Sequence, residues 1–211
     1  MTVRLKDFSK PAFGLLVAIA TVSFVRPSIA DTDADTLRNP ADFAHVTTEE
    51  DRSKALFTEM GKVIESPRCM NCHPRGDSPT QFLGQLHVPP VSRGPAGHGV
   101  AGLECSTCHG DTNVTFPDGT RSIPGNPDWH LAPATMAWQG SSLGEICAQL
   151  KDPERNGGKT LAEIHLHTAE DPLVGWGWTP GVGRSPAPGS QEIFSALTLA
   201  WIETGAACPD L

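Results

Sequence analysis

The sequence CMNCH occupies residues 69–73, and the sequence CSTCH occupies residues 105–109. Both follow the pattern C-x-x-C-H, in which two residues separate a pair of thiols and a histidine comes next. This pattern is the attachment motif of c-type haem, where the thiols bond to the porphyrin and the histidine binds the iron. The chain therefore has two predicted covalent haems, close together in sequence. The attachment cysteines are Cys69, Cys72, Cys105 and Cys108, and the proximal iron ligands are His73 and His109.

Two other classes of site share the paired C-x-x-C pattern. Structural zinc is one and a disulfide framework is the other, and both stay open as alternatives to haem. The 36 positions from Cys69 to Cys105 make a gap that is long for a compact zinc ribbon. A thioredoxin-like dithiol site needs a single C-x-x-C on a βαβ pattern, which the sequence does not show.

Residues 1–30 have the pattern of a secretory signal peptide. A basic start precedes an apolar run of 14 residues at 12–25, which is short for a membrane span. The small residues at 28 and 30 predict cleavage after Ala30, and the alternative is an uncleaved N-terminal anchor. Export to the periplasm agrees with haem, since c-type haem is attached outside the bacterial cytoplasmic membrane. We expect no stable membrane span after cleavage.

The remaining chain is acidic. Residues 1–30 carry four of the 16 basic and one of the 24 acidic residues, which leaves a net charge of −11 on the rest. This charge argues against nucleic acid and anionic membranes as partners. It suits docking to a basic patch on a redox protein, although acidity also keeps an exported protein soluble. We expect a flexible N-terminal segment at 31–46 and a single di-haem domain at 47–211.

The composition predicts a mainly α fold with long irregular loops. Gly (21) and Pro (19) are plentiful, so regular structure should be modest and the two haems should supply much of the core. Capping signals and helical periodicity predict helices over 47–65, 142–150 and 190–204, and another beginning at Thr160. Residues 110–127 should form a small hairpin or a loop, and residues 173–189 an irregular loop.

Cys147 and Cys208 are left over after haem attachment. An oxidising compartment makes them a candidate disulfide that ties the C-terminal tail to a helix. Two unpaired thiols are the alternative, because sequence does not establish the geometry that a disulfide needs.

The distal iron ligands are predicted from position and neighbours. His87 is preferred because flanking Leu86 and Val88 could seat it against a haem face. His167 is the second choice because it shares a helix face with Ile164. Further distal candidates and propionate partners follow from nearby segments. The alternative distal ligands are His130 and Met136. His98 should be exposed to solvent. The arginines that could pair with the haem propionates are Arg75 and Arg93.

Three sequence segments, at residues 132–138, 150–158 and 173–178, resemble those of a known protein family. The chain resembles small proteobacterial di-haem cytochromes c, whose members often carry the label "isoquinoline 1-oxidoreductase subunit". The resemblance covers the chain after the signal and implies association with a molybdenum and iron–sulfur hydroxylase. The sequence shows no cysteine set for a [2Fe–2S] cluster, so this chain would be the electron acceptor.

These observations predict an electron carrier that exchanges electrons between redox proteins, either alone or as an accessory subunit of an oxidoreductase. It is not predicted to be an enzyme. The alternative is a haem enzyme or gas-binding protein, peroxidase-like, in which one haem keeps an open distal site.

Overall fold

Helices with a few short strands form the regular structure of the computed structural model, which describes Met1 and residues 35–210. This agrees with the expected class of helices joined by long irregular segments. The α-helices of this region are α1 (Glu49–Ile64), α2 (Pro67–Met70), α3 (Leu143–Leu150), α4 (Leu161–Glu170), α5 (Pro172–Gly175) and α6 (Gln191–Glu203). Its 3-10 turns are Pro40–Phe43, Cys105–Thr107, Ala134–Met136 and Trp176–Trp178.

Helix α1 begins and ends where the sequence predicts. The Thr48 side chain accepts a hydrogen bond from the Asp51 amide at 3.0 Å, which satisfies one of the free amides of the first turn. Acidic residues in that turn also favour the positive end of the helix dipole. Pro67 follows shortly after the helix end and begins α2, the short helix that contains Cys69 and Met70 of the first C-x-x-C-H motif.

The core lies where α1 packs against α6. The rings of Phe57 and Trp201 are 5.0 Å apart, and both side chains are fully buried. Ser53 of α1 donates to the Trp201 carbonyl and accepts from the Ala207 amide, so the two helices are also joined by hydrogen bonds. Each such apolar side chain contributes about 1.5–3 kcal/mol on burial. These helices form a hydrophobic core from their own apolar side chains.

Two capping boxes start α3 and α4, as predicted. Ser142 exchanges hydrogen bonds with Glu145, and Thr160 does the same with Glu163. Helix α3 carries Cys147, which is bonded to Cys208 at an S–S distance of 2.05 Å. The predicted disulfide is therefore confirmed, and it ties the C-terminal tail to α3.

The long segment between α2 and α3 contains three antiparallel pairs of two-residue strands. The strands are β1 (Thr80–Gln81), β2 (Gln85–Leu86), β3 (Gly99–Val100), β4 (Leu103–Glu104), β5 (Val114–Thr115) and β6 (Ser122–Ile123). They pair as β1–β2, β3–β4 and β5–β6, and the last pair is the hairpin expected within 110–127. Because every pair in the described chain is antiparallel, it contains no βαβ unit of the thioredoxin type.

The N-terminal segment differs from the flexible lead-in that was expected at 31–46. From residue 35 onward it packs on α1, with Leu37 and Phe43 buried. Arg38 donates to the buried Glu59 carboxylate through its backbone amide and its guanidinium. The predicted signal peptide at 1–30 lies outside the described residues. Among the described helices, none is both long and apolar enough to cross a membrane.

Candidate haem-binding site

In the second motif, a hydrogen bond fixes the tautomer of the His109 imidazole. A 3-10 turn at Cys105–Thr107 presents the cysteines, and the His109 Nδ1 lies 2.8 Å from the Pro124 carbonyl oxygen. A carbonyl only accepts, so Nδ1 carries the proton and Nε2 keeps its lone pair for a metal. The Trp129 ring stacks on the imidazole at 4.7 Å between centroids. Burial lowers the His109 pKa, so the ring is neutral at pH 7.

The first motif repeats this arrangement with different residues. The His73 Nδ1 lies 2.9 Å from the Met136 carbonyl, so it also donates its proton and leaves Nε2 free. Trp138 stacks on His73 with centroids 3.5 Å apart and planes 7° apart. Burial lowers the His73 pKa to about 4. Both motif histidines are therefore neutral, oriented by a backbone carbonyl and covered by a tryptophan. Metal-binding histidines commonly donate their other ring N–H to such a carbonyl, which orients the ring.

The four motif cysteines are free thiols in this structure. Burial raises the pKa of Cys69 to about 12 and that of Cys72 to about 11. A dithiol redox site needs a lowered thiol pKa, so these values count against it. Across the described residues, no group of three or more His, Cys, Asp or Glu side chains is placed to hold a metal ion. The motifs therefore do not converge into a tetrahedral zinc site.

A cavity of about 410 Å³ lies between the two motifs. Cys105, Cys108 and His109 of the second motif line it, and Cys72 of the first motif reaches it from the other side. Its volume falls in the usual range for small-molecule sites. Cys69 and His73 are not part of its lining. Much of the remaining wall is apolar and aromatic, and includes Phe82, Leu103, Phe116, Ile123, Trp129 and Trp176.

Cations complete the wall of this cavity. The four arginines that line it are Arg68, Arg93, Arg121 and Arg184. Arg93, one of the two propionate partners expected from the sequence, is nearly fully buried there. Arg75, the other, donates instead to the Gln139 carbonyl at 3.0 Å and does not line the cavity.

His87 lines the same cavity as His109, and the two rings are in contact. The two imidazole centroids are 6.0 Å apart. A metal bound by two opposed imidazoles at about 2 Å each would place the ring centres roughly 6 Å apart. The His87 Nδ1 donates to the Pro89 carbonyl at 2.8 Å, so its Nε2 is also free. The structure thus brings this predicted distal ligand to the second motif.

His130 also lines the cavity but has a different ring neighbour. Its Nδ1 donates to the Asp128 carbonyl, and its ring centroid is 5.0 Å from that of His98. His98 is exposed, as the sequence predicts. Among the described ring contacts, His130 has none with a motif histidine, whereas His87 contacts His109.

Met136 and His167 lie on the side of the first motif. The Met136 carbonyl accepts from His73 Nδ1, so the Met136 backbone lies at the Nδ1 edge of the ring and not at Nε2. Its side chain is 8% exposed and packs in the core. His167 contacts the Asp171 carboxylate at 3.0 Å and lies near enough to His73 to lower its pKa. It does not line the cavity.

The donor set and the wall fit a porphyrin with carboxylates at the second motif. Two thiols, a neutral histidine and an opposed histidine surround an apolar space with cations at its edge. The first motif has the same oriented histidine but lines this space only through Asn71 and Cys72. The sequence did not single out Arg68 as part of a site, although Arg68 directly precedes Cys69.

No known protein family, curated protein or solved structure matches this chain.

Proposed function

We propose that this chain is a di-haem c-type cytochrome that carries electrons between proteins. One observation carries the proposal: both C-x-x-C-H histidines donate Nδ1–H to a backbone carbonyl and leave a neutral Nε2 free. This arrangement is suited to binding a metal in a fixed direction and has no evident use in a disulfide framework. The proposed fold is a helical one whose loops and helices pack around two covalent haems.

The chain's own residues would attach and orient the cofactor. The cysteine pairs form its covalent tethers, and the carbonyls of Pro124 and Met136 fix the tautomer and direction of the proximal histidines. When bound, a haem supplies one-electron chemistry at a potential set by axial ligands, burial and hydrogen bonding. The stacked tryptophans cover one face of each histidine ring.

The position of His87 supports a carrier over a haem enzyme. An enzyme with an open distal position needs space opposite the proximal histidine, whereas His87 lies there with its Nε2 free. We propose His87 as the distal ligand at the second motif and His167 as that at the first. The placement of Met136 on the proximal side argues against its use as a ligand of the same haem.

Localisation and partners follow from the sequence and belong to the same proposal. The predicted signal peptide places the protein in the periplasm, and the acidic chain suits docking to a basic patch on a redox partner. The resemblance described above makes a molybdenum and iron–sulfur hydroxylase the proposed electron donor. The chain would then be its acceptor and not its catalytic subunit.

The optical spectrum of haem-loaded protein tests the carrier function. We expect low-spin ferric bands for both haems and no carbon monoxide binding to the reduced protein at equilibrium, because both axial positions are filled by protein ligands. A high-spin ferric band in the unmodified protein, or carbon monoxide bound at one haem, would instead support a peroxidase-like or gas-binding site.

A further inference from the structure

Two arginines of the cavity wall lie close together. Arg68 immediately precedes Cys69 of the first motif and is 9% exposed. Arg184 reaches the cavity from the loop that follows the Trp176–Trp178 turn. Burial, and after it the positive charge of Arg68, lowers the Arg184 pKa, which places the guanidiniums within electrostatic reach of each other. Arg68 is buried and Arg184 is half-buried, so their like charges repel and destabilise the protein unless an anion lies nearby.

The described chain supplies no such anion. Neither Arg68 nor Arg184 forms an ion pair with a carboxylate of the described residues. Glu104 is the one carboxylate in the cavity wall, and it is exposed on β4. The other ionisable side chains that line the cavity are cysteines, histidines and arginines and not carboxylates, namely Cys72, Cys105, Cys108, His87, His109, His130, Arg93 and Arg121.

The hydrogen bonds of the two guanidiniums leave donors unused. The Arg68 Nε is buried without an acceptor, and its Nη2 makes a long 3.4 Å contact with the Phe82 carbonyl. Arg184 donates to the Ser122 hydroxyl at 2.8 Å, to the Pro180 carbonyl at 3.2 Å and to the Ser122 carbonyl, and these bonds fix its direction. The Arg93 Nε is a second buried donor without an acceptor in the same wall. Buried unpaired donors are unfavourable, and a ligand with strong acceptors would satisfy them.

The chemistry of that ligand follows from the surroundings. Guanidiniums bind carboxylates through paired N–H donors, and here they stand at the edge of an aromatic and apolar space. The ligand is therefore an apolar body with carboxylates at its edge. Arg68 belongs to the first motif, and Ser122, which holds Arg184, lies two residues before Pro124 of the second motif. The carboxylate position is thus between the two motifs.

We propose that Arg68 and Arg184 form a carboxylate-binding site that holds a haem propionate between the two attachment motifs. This inference rests on the proposed function, since it assigns the carboxylate to the covalent cofactor. It predicts that both arginines set the hydrogen bonding of the propionates, in addition to any role in folding.

Resonance Raman spectra of haem-loaded variants test this site, because the propionate bending bands respond to hydrogen bonds on the carboxylates. We expect the bands to shift in Arg184→Leu and in Arg68→Leu, and to shift less in Arg184→Lys, which keeps the charge but loses the paired donors. The control is Arg155→Leu, at an exposed arginine in a turn away from the cavity, and it should match the unmodified protein.

Two failures can be told apart in this experiment. If the chain carries no covalent haem, the proposed function itself is wrong. A chain that carries two haems, and whose bands in both leucine variants coincide with those of the Arg155→Leu control, would overturn the carboxylate site alone. Bands that shift in Arg184→Leu and recover partly in Arg184→Lys would support it even where Arg68→Leu folds poorly.

Discussion

Replacing His87 with alanine should change one haem and leave the other unaffected. His87 lies 6.0 Å from His109 between ring centroids, and its only described histidine ring neighbour is that proximal histidine. His73 belongs to the other motif and stacks on Trp138. The substitution should therefore open one axial position at the second motif and none at the first.

The size of the spectral change expected in His87→Ala follows from the pairing of His87 with His109 alone. With two haems in each chain, His87→Ala should convert half of the ferric low-spin signal to high spin. Carbon monoxide binding to the reduced protein should rise from none to one equivalent per chain. His87→Met should restore six-coordination and raise the potential of that haem, because methionine stabilises the ferrous state relative to histidine.

The assay is a carbon monoxide titration of the reduced protein, followed by absorbance, with electron paramagnetic resonance of the ferric form. His98→Ala is the matched control, because His98 is an exposed histidine of the same long segment and does not line the cavity. It should bind no carbon monoxide.

Two results would refute the reasoning. If His87→Ala stays low-spin and binds no carbon monoxide, His87 is not an axial ligand. If His130→Ala gives the change expected of His87→Ala, the other cavity histidine is the ligand, and the centroid distance has been misinterpreted.

Three further predictions concern stability. Replacing both Cys147 and Cys208 with serine should lower the free energy of unfolding by roughly 4 kcal/mol, since the disulfide closes a loop with a sequence separation of 61; equal denaturation midpoints under non-reducing conditions would contradict this. Glu59→Gln should cost about 1.5–3 kcal/mol, the usual worth of a hydrogen bond to a charged group. Burial raises the Glu59 pKa, but hydrogen bonds from Arg38 and Lys62 outweigh burial and the net pKa is lowered. The difference in unfolding free energy between Glu59→Gln and the unmodified protein should therefore be full at neutral pH and shrink as the pH falls below 4.5. A difference in unfolding free energy that does not change with pH would count against the ion pairs. Trp201→Ala should cost about 3–5 kcal/mol, as measured by chemical denaturation, whereas Leu199→Ala, at a side chain 39% exposed, should cost far less; similar losses would show that Trp201 is not central to the core.

Helix boundaries were predictable from the sequence because capping is local. Thr48, Ser142, Thr160 and Ser190 each accept from the amide three residues on, as their sequence context indicates. Helix α5 was missed within the loop expected at 173–189, although Asp171 as N-cap and Pro172 at the first helical position are a recognisable start signal.

The site was only partly predictable, because its second half depends on contacts between distant segments. The motif residues are fixed by their spacing, but the carbonyls that orient His73 and His109 come from Met136 and Pro124, which are 63 and 15 residues away. Met136 shows the difficulty most clearly. Its residue type suggested a ligand, whereas its backbone carbonyl accepts from the Nδ1 of His73.

The number of covalent haems per chain tests the central claim most directly. It can be counted by intact-mass spectrometry of protein produced together with a haem-attachment system. We expect the mass of the chain to increase by that of two haems, and by that of one haem when both cysteines of either motif are replaced by alanine. A chain of unmodified mass, with no haem on either motif, would contradict the account.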